Sequence, residues 1–332
     1  MIKWSSSIQL AATPESSRHW LYSRRTRKVP WNCPRVLPRV VCGSSLSLPY
    51  NDIRKPASMA LRLTYHGETS VPVEIEGLTP DWARDKSVAE IERFEIFHGN
   101  RKIPLAEMFA VSGDPADLRW DFEGNLAGVH WIGAHMTAGR IVIHGPAGRH
   151  VGSQMRGGEI VVEGPVDGWV GAEMHGGLIH VHGNAGHLVG AAYRGSAKGM
   201  TGGTILIDGN AGNEIGHTMR RGLVAIGGQA GDMLGFNLIA GTVLVFGECG
   251  IRPGAGMRRG TLGLFGPNPP PMLPSFRFGS TCQSPIVPIL LRELRSQGMT
   301  FDDALFAAEF DLYHGDQVSV GRGEVLIRHR ED

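Results

Sequence analysis

From residue 139 onward one glycine-punctuated pattern recurs: G-x-h-x-h-x-G, where h is apolar. Matching units open at Gly139, Gly158, Gly177, Gly203, Gly222, Gly241 and Gly260, at steps of 19, 19, 26, 19, 19 and 19 residues. A less regular unit precedes them over 118–138. A fixed short period means an array in which each unit buries its apolar face against its neighbours. Each unit opens with strict alternation: Ile141 and Ile143, Ile160 and Val162, Ile179 and Val181, Ile205 and Ile207, Val224 and Ile226, Val243 and Val245. Period-two, β-branched positions predict strands, and nothing in the array has helical spacing.

Strands and tight turns of this length stack as coils of a solenoid. Neighbouring strands lie about 4.8 Å apart, so about seven coils give a rod roughly 34 Å long. Parallel connections within one sheet are overwhelmingly right-handed. The predicted fold is therefore mainly β: a right-handed, single-stranded parallel β-helix of 19-residue coils over 118–266. Glycine, 47 of 332 residues, serves the corners, and the lack of a three-residue period excludes collagen.

The flanks read differently. Residues 1–58 carry ten Lys or Arg against Glu15 and Asp52, while 59–332 hold 23 basic and 30 acidic residues. The basic stretch "SRRTRKVPWNCPRVLPRV" is rich in Pro and Ser and lacks a period, so 1–58 is expected to be a disordered or mis-assigned extension. Residues 59–117 predict a small α+β domain. In it "LRLTYHG" and "VPVEIEG" form a strand pair, and Ser87 with Glu90 forms a capping box. Residues 267–332 predict a cap: a helix with Ser284 as N-cap and Gly298 past its end, a short second helix capped at Thr300 and Asp303, and a hairpin from "QVSVGRGEVLIR". These flanks are expected to cover the open ends of the rod.

No segment has about 20 continuous apolar residues, so no transmembrane helix is expected. Cys33, Cys42, Cys249 and Cys282 are scattered without a C-x-x-C pair, which points to a reducing cytoplasm.

Equivalent residues of successive coils stack, so columns carry the chemistry. One outward column reads His144, Glu163, His182, Asp208, with His180 on the same face as His182. It is a weak metal candidate, since ligands must converge whereas a ladder spreads them. Another reads Arg156, His175, Arg194, Arg220, Ile239, Arg258, behind a core-filling row of Met155, Met174, Tyr193, Met219, Leu238 and Met257. Such a basic stripe can clamp a polyanion or an acidic partner. The 26-residue third unit places a loop within "YRGSAKGMTG", bringing Lys198 beside Arg194. Trimming that loop is expected to leave the thermal melt nearly unchanged while weakening assembly or ligand binding. No G-x-S-x-G, P-loop, H-E-x-x-H or strand–helix dinucleotide motif occurs, so no catalytic residue is assigned.

The repeated corner pattern G-x-h-x-h-x-G-x-x-G-x-x-h-G, followed by "SPIVPILLREL" and a terminal hairpin, resembles the G-X-G-X-G β-helix. That domain occurs in the C-subunit of formylmethanofuran dehydrogenase, in the related formyltransferase/hydrolase complex, and at the C-terminus of the glutamate synthase large subunit. The order of segments resembles the C-subunit, over about residues 59–332. The resemblance implies a non-catalytic scaffold in methanofuran- and tetrahydromethanopterin-linked one-carbon metabolism, acting in a hetero-oligomer. It implies no cofactor on this chain, with molybdopterin or tungstopterin, iron–sulfur or zinc carried by partners. It also makes the polyglutamyl tail of the C1 carrier, or a partner subunit, the candidate ligand of Arg156, Arg194, Lys198, Arg220 and Arg258. A glutamate-synthase-like domain linking amidotransferase sites is the alternative, disfavoured by the absence of glutaminase and flavin domains. A polysaccharide-binding β-helix is disfavoured on the expectation that exposed aromatic stacks are absent. Neither nucleic-acid binding nor a membrane span is expected.

Overall fold

The computed structural model describes residues 60–330. The expectation for 1–58 lies outside the described residues. In chain order the strands are β1 (Leu61–Tyr65), β2 (Val73–Glu74), β3 (Glu95–His98), β4 (Arg101–Pro104), β5 (Phe109–Ser112), β6 (Arg119–Glu123) and β7 (Val129–His130). The array supplies β8 (Arg140–His144), β9 (Glu159–Val162), β10 (Leu178–Val181), β11 (Thr204–Ile207), β12 (Leu223–Ile226), β13 (Thr242–Val245) and β14 (Arg259–Leu264). The C-terminal region adds β15 (Arg277–Cys282), β16 (Phe310–Gly315) and β17 (Arg322–Arg328). Helices α1 (Pro80–Ala83) and α2 (Val88–Glu92) precede the array, and α3 (Val287–Ser296) follows it.

The fold is mainly β, built on one sheet of 13 strands. From β8 to β14 each strand pairs in parallel with the next, in a register set by the repeat. Ile141 pairs with Ile160, Ile160 with Ile179, Ile179 with Ile205, Ile205 with Val224, Val224 with Val243, and Val243 with Leu262. A second parallel ladder of single bridges runs alongside through Ala147, Val166, Ala185, Ala211, Ala230 and Cys249. The alternating residues of each strand are fully buried, beside a row of Val151, Val170, Val189, Ile215 and Leu234. Glycine is required where successive repeats touch. Gly177 has φ +95°, and a Cβ built on it would stand 2.7 Å from the carbonyl oxygen of Gly158, one repeat earlier.

The flanking strands prolong the ladder. At one end β6 pairs with β8, β1 with β6 in parallel, and β5 with β1 antiparallel. At the other, β17 joins β14 in parallel, and β16 and β15 follow antiparallel. The expected pairing of "LRLTYHG" with "VPVEIEG" is not formed: β1 enters the large sheet, while β2 joins β3 and β7 in a separate four-stranded sheet with β4. The capping box at Ser87 and Glu90 is present. Helix α3 begins at Val287, not Pro285. A start at Pro285 would put Pro288 where the first intrahelical N–H is required, whereas the later start leaves Pro288 in the first turn. Asp302, rather than Thr300, caps the short 3₁₀ turn Asp303–Phe306.

Helix α3 lies against the outer face of the sheet. Val287, Leu291 and Leu294 pack with Leu206, Ala225, Leu244 and Phe265. This explains why the outward positions of β11–β13 are apolar when a one-sided strand would place polar residues there.

Candidate functional site

Three surface features could carry function, and each follows from the in-register stacking of successive repeats. The first is basic. Arg220, Arg221, Arg258 and Arg259 line a recess of about 560 Å³ with Ile239, Ala240 and Val320. Arg220 and Arg258 hold the same position in repeats two steps apart, and the smaller side chains of Ile239 and Ala240 between them leave the hollow. Arg322 of β17 pairs in register with Arg259, adding a like charge. The arginine and lysine ion pairs found among the described residues lie elsewhere. Guanidinium groups gathered without carboxylates form a site for anions, because planar N–H forks match carboxylate and phosphate oxygens.

Arg156 is exposed farther along the same column. Arg194 is not in the column. Its place is taken by Thr201, whose backbone N–H donates to the Met174 carbonyl as that of His175 does to Met155 and that of Arg220 to Met200. Met200 is likewise the buried member of the sulfur row, and Tyr193 is only half-buried. The extra residues of the long unit therefore precede Met200, and they carry Tyr193, Arg194 and Lys198 outward together. Counting back three residues from Gly203 finds Met200, as counting back from Gly177 finds Met174; counting forward from Gly190 finds Tyr193 instead. Lys198 is exposed on this loop, and Arg194 lines a separate recess with Trp169, Tyr193, Glu214 and His217.

The second feature is aromatic, a half-buried stack, whereas the expected absence concerned exposed stacks. Trp131, His150 and Trp169 hold the same position in three successive repeats, all with left-handed backbone (φ +67°, +64° and +68°). Their rings stack: Trp131 on His150 at 4.0 Å and 7°, His150 near Trp169 at 5.9 Å and 19°. Tyr193 adds a fourth ring, 5.4 Å from Trp169. Bulky residues rarely adopt this conformation, so the stack offsets backbone strain. Desolvation among the rings, followed by repulsion from His130, pushes the His150 pKa down to about 4. Burial likewise pushes the Tyr193 hydroxyl up to about 12. The 19-residue spacing of Trp131, His150 and Trp169 was a readable signal.

The third is the His/acid column, which breaks into two groups. His144 uses both ring nitrogens on carboxylates, Nδ1 to Glu163 at 2.9 Å and Nε2 to Asp121 at 3.4 Å. Its pKa is raised, chiefly by the Glu163 hydrogen bond. Separately, Asp208 bridges His180 Nε2 at 2.9 Å and His182 Nδ1 at 2.6 Å. His182 thus belongs with His180 and Asp208, not with His144 and Glu163.

No protein-family model matches the chain. A 93-residue stretch is 39% identical to the C-subunit of the tungsten-containing formylmethanofuran dehydrogenase 2 of Methanothermobacter wolfeii, covering 27% of this chain and 34% of the relative. A 91-residue stretch is 41% identical to the C-subunit of the molybdenum-containing formylmethanofuran dehydrogenase 1 of Methanothermobacter thermautotrophicus, covering 27% and 23%. The alignment thus spans about a third or less of these curated relatives. The structure of the formyltransferase/hydrolase complex of Methylorubrum extorquens, determined with methylofuran, contains a chain matched over its whole length, with 81% of this chain covered, 30% identity and a TM-score of 0.76.

The chain belongs to the C-subunit family of formylmethanofuran dehydrogenases and formyltransferase/hydrolase complexes. These relatives favour that family over the glutamate-synthase-like alternative. Among the described residues, no helix of this C-subunit family member is long and apolar enough to cross a membrane.

Proposed function

We propose that the chain is the scaffold C-subunit of a formylmethanofuran dehydrogenase-type or formyltransferase/hydrolase complex, acting on formyl-level carbon carried by a methanofuran-type cofactor. The full-length match to a chain of the Methylorubrum complex carries this reading. The rod is a right-handed parallel β-helix over 118–266, flanked by regions at 59–117 and 267–332; the unbroken parallel register from β8 to β14 supports it. The chain itself is non-catalytic, with redox or hydrolytic centres on partner subunits.

The arginine recess is its recognition surface. Arg220 and Arg258, with Arg156 farther along the column, bind an acidic partner surface or the anionic tail of the carrier. Arg194 and Lys198 form a second, separate contact on the loop.

Reconstitution tests the scaffold role. Partner subunits assembled with this chain should turn over formyl-carrier substrate, those assembled without it should lose most activity, and the chain alone should have none. Turnover by the isolated, metal-free chain would reverse the assignment.

A further inference from the structure

The outward column of the sheet reads Val142, Val161, His180, Leu206, Ala225, Leu244. His180 is the one polar member, and it is buried, with 6% of its surface exposed. Burying an imidazole in an apolar row is unfavourable unless its nitrogens are engaged. The end of α3 lies over it: a Cβ placed on Gly298 would stand 3.6 Å from His180 Cε1. His180 is therefore held beneath the C-terminal region with its Nε2 directed at Asp208.

Two further donors meet it. The rings of His180 and His182 are 4.1 Å apart, and His182 Nδ1 points at the other oxygen of Asp208. One ligand atom from each of the three residues lies within 4.8 Å of the others. Two imidazole nitrogens and a carboxylate oxygen form a donor set suited to a first-row divalent cation. Tetrahedral zinc has metal–nitrogen bonds of about 2.0–2.1 Å, so the donors must draw together. The exposed side chains of His182 and Asp208 are free to do so, while His180 is fixed. His144 and Glu163 lack this arrangement, because only one imidazole serves two acids.

We propose that His180, His182 and Asp208 bind a divalent transition metal ion of the zinc class. Three protein donors leave a fourth position facing solvent, filled by water or by a donor from a neighbouring subunit. Without metal, each imidazole donates one N–H to Asp208; with metal, those nitrogens become ligands and each neutral ring carries its proton on its other nitrogen.

The test uses the full chain, stripped with a chelator and titrated with Co²⁺, whose visible absorption reports coordination by protein ligands. One equivalent should bind with the spectrum of a low-coordinate site, and Zn²⁺ should displace it. His182→Gln and Asp208→Asn, both at exposed side chains, should each weaken binding on the order of tenfold or more, with circular dichroism unchanged. His144→Gln should leave binding as in the parent. Failure to develop the cobalt spectrum, or binding that survives both His182→Gln and Asp208→Asn, overturns the site.

Discussion

Replacing Gly177 by Ala should destabilise the fold by about 2–4 kcal/mol, from two physical sources. At φ +95° an alanine is held outside its favoured regions, a strain of about 1–3 kcal/mol. Its Cβ would also stand 2.7 Å from the Gly158 carbonyl oxygen and 2.6 Å from Met155 Cε. The methionine can swing away, but the carbonyl cannot, because it accepts the Leu178 N–H at 3.0 Å. Displacing it weakens a ladder hydrogen bond, for about 1 kcal/mol more. At about 2–4 °C per kcal/mol for a chain of this size, the melt should fall by on the order of 10 °C. Two controls separate the contributions. Gly195 has φ +86° with no atom within 4 Å of a built Cβ, so Gly195→Ala should cost only the backbone strain of about 1–2 kcal/mol. Gly128 has neither a positive φ nor a close neighbour, and Gly128→Ala should stabilise by about 0.4–1 kcal/mol. Chemical denaturation of all three gives the comparison. If Gly177→Ala costs no more than Gly195→Ala, the preceding coil is not where the stacked register puts it, and the reasoning fails.

Deleting 192–198 restores the 19-residue spacing by joining Ala191 to Gly199, but it removes Tyr193 from the aromatic stack. Stability should therefore fall by about 0.5–1.5 kcal/mol and the melt with it, contrary to the sequence-based expectation of a neutral trim; an unchanged melt would mean that the fourth ring adds nothing. Arg258→Glu with Arg259→Glu should abolish most binding of an acidic partner or carrier at low salt while leaving the melt unchanged; unaltered binding would remove the recess from the recognition surface. His150 titrates near pH 4 when folded and near 6.5 when unfolded, so the unfolded chain takes up its proton first. Stability should then fall as pH drops from about 6.5 towards 4. The difference curve against His150→Phe isolates this share, and a flat difference would place the imidazole in water.

The repeat made most of the array legible. Alternating apolar residues at a fixed period specify both the strands and their parallel register, because a slip by one residue turns every side chain to the wrong face. Contacts that escape the period were not legible. β1 and β2 look like a hairpin by proximity, but β1 finds its partners at β5 and β6, far along the chain. The outward apolar residues Leu206, Ala225 and Leu244 signalled that something covers the sheet, but not that α3 does. Within the site, Arg220 and Arg258 of the recess followed from column counting. Arg194 did not, because an insertion lets two residues, Tyr193 and Met200, compete for one interior place. His180 was visible beside His182, but its bond to Asp208 is diagonal across coils, and only coordinates reveal it.

The central claim is that this chain is a structural subunit, and native mass spectrometry of the tagged chain purified from its own cells tests it most directly. The account predicts a stable hetero-oligomer in which this chain is bound to larger subunits that carry the metal centres and the formyl-transfer activity. Recovery of the chain only as a monomer or as copies of itself, with the formyl-processing activity intact in the fraction that lacks it, would contradict the account.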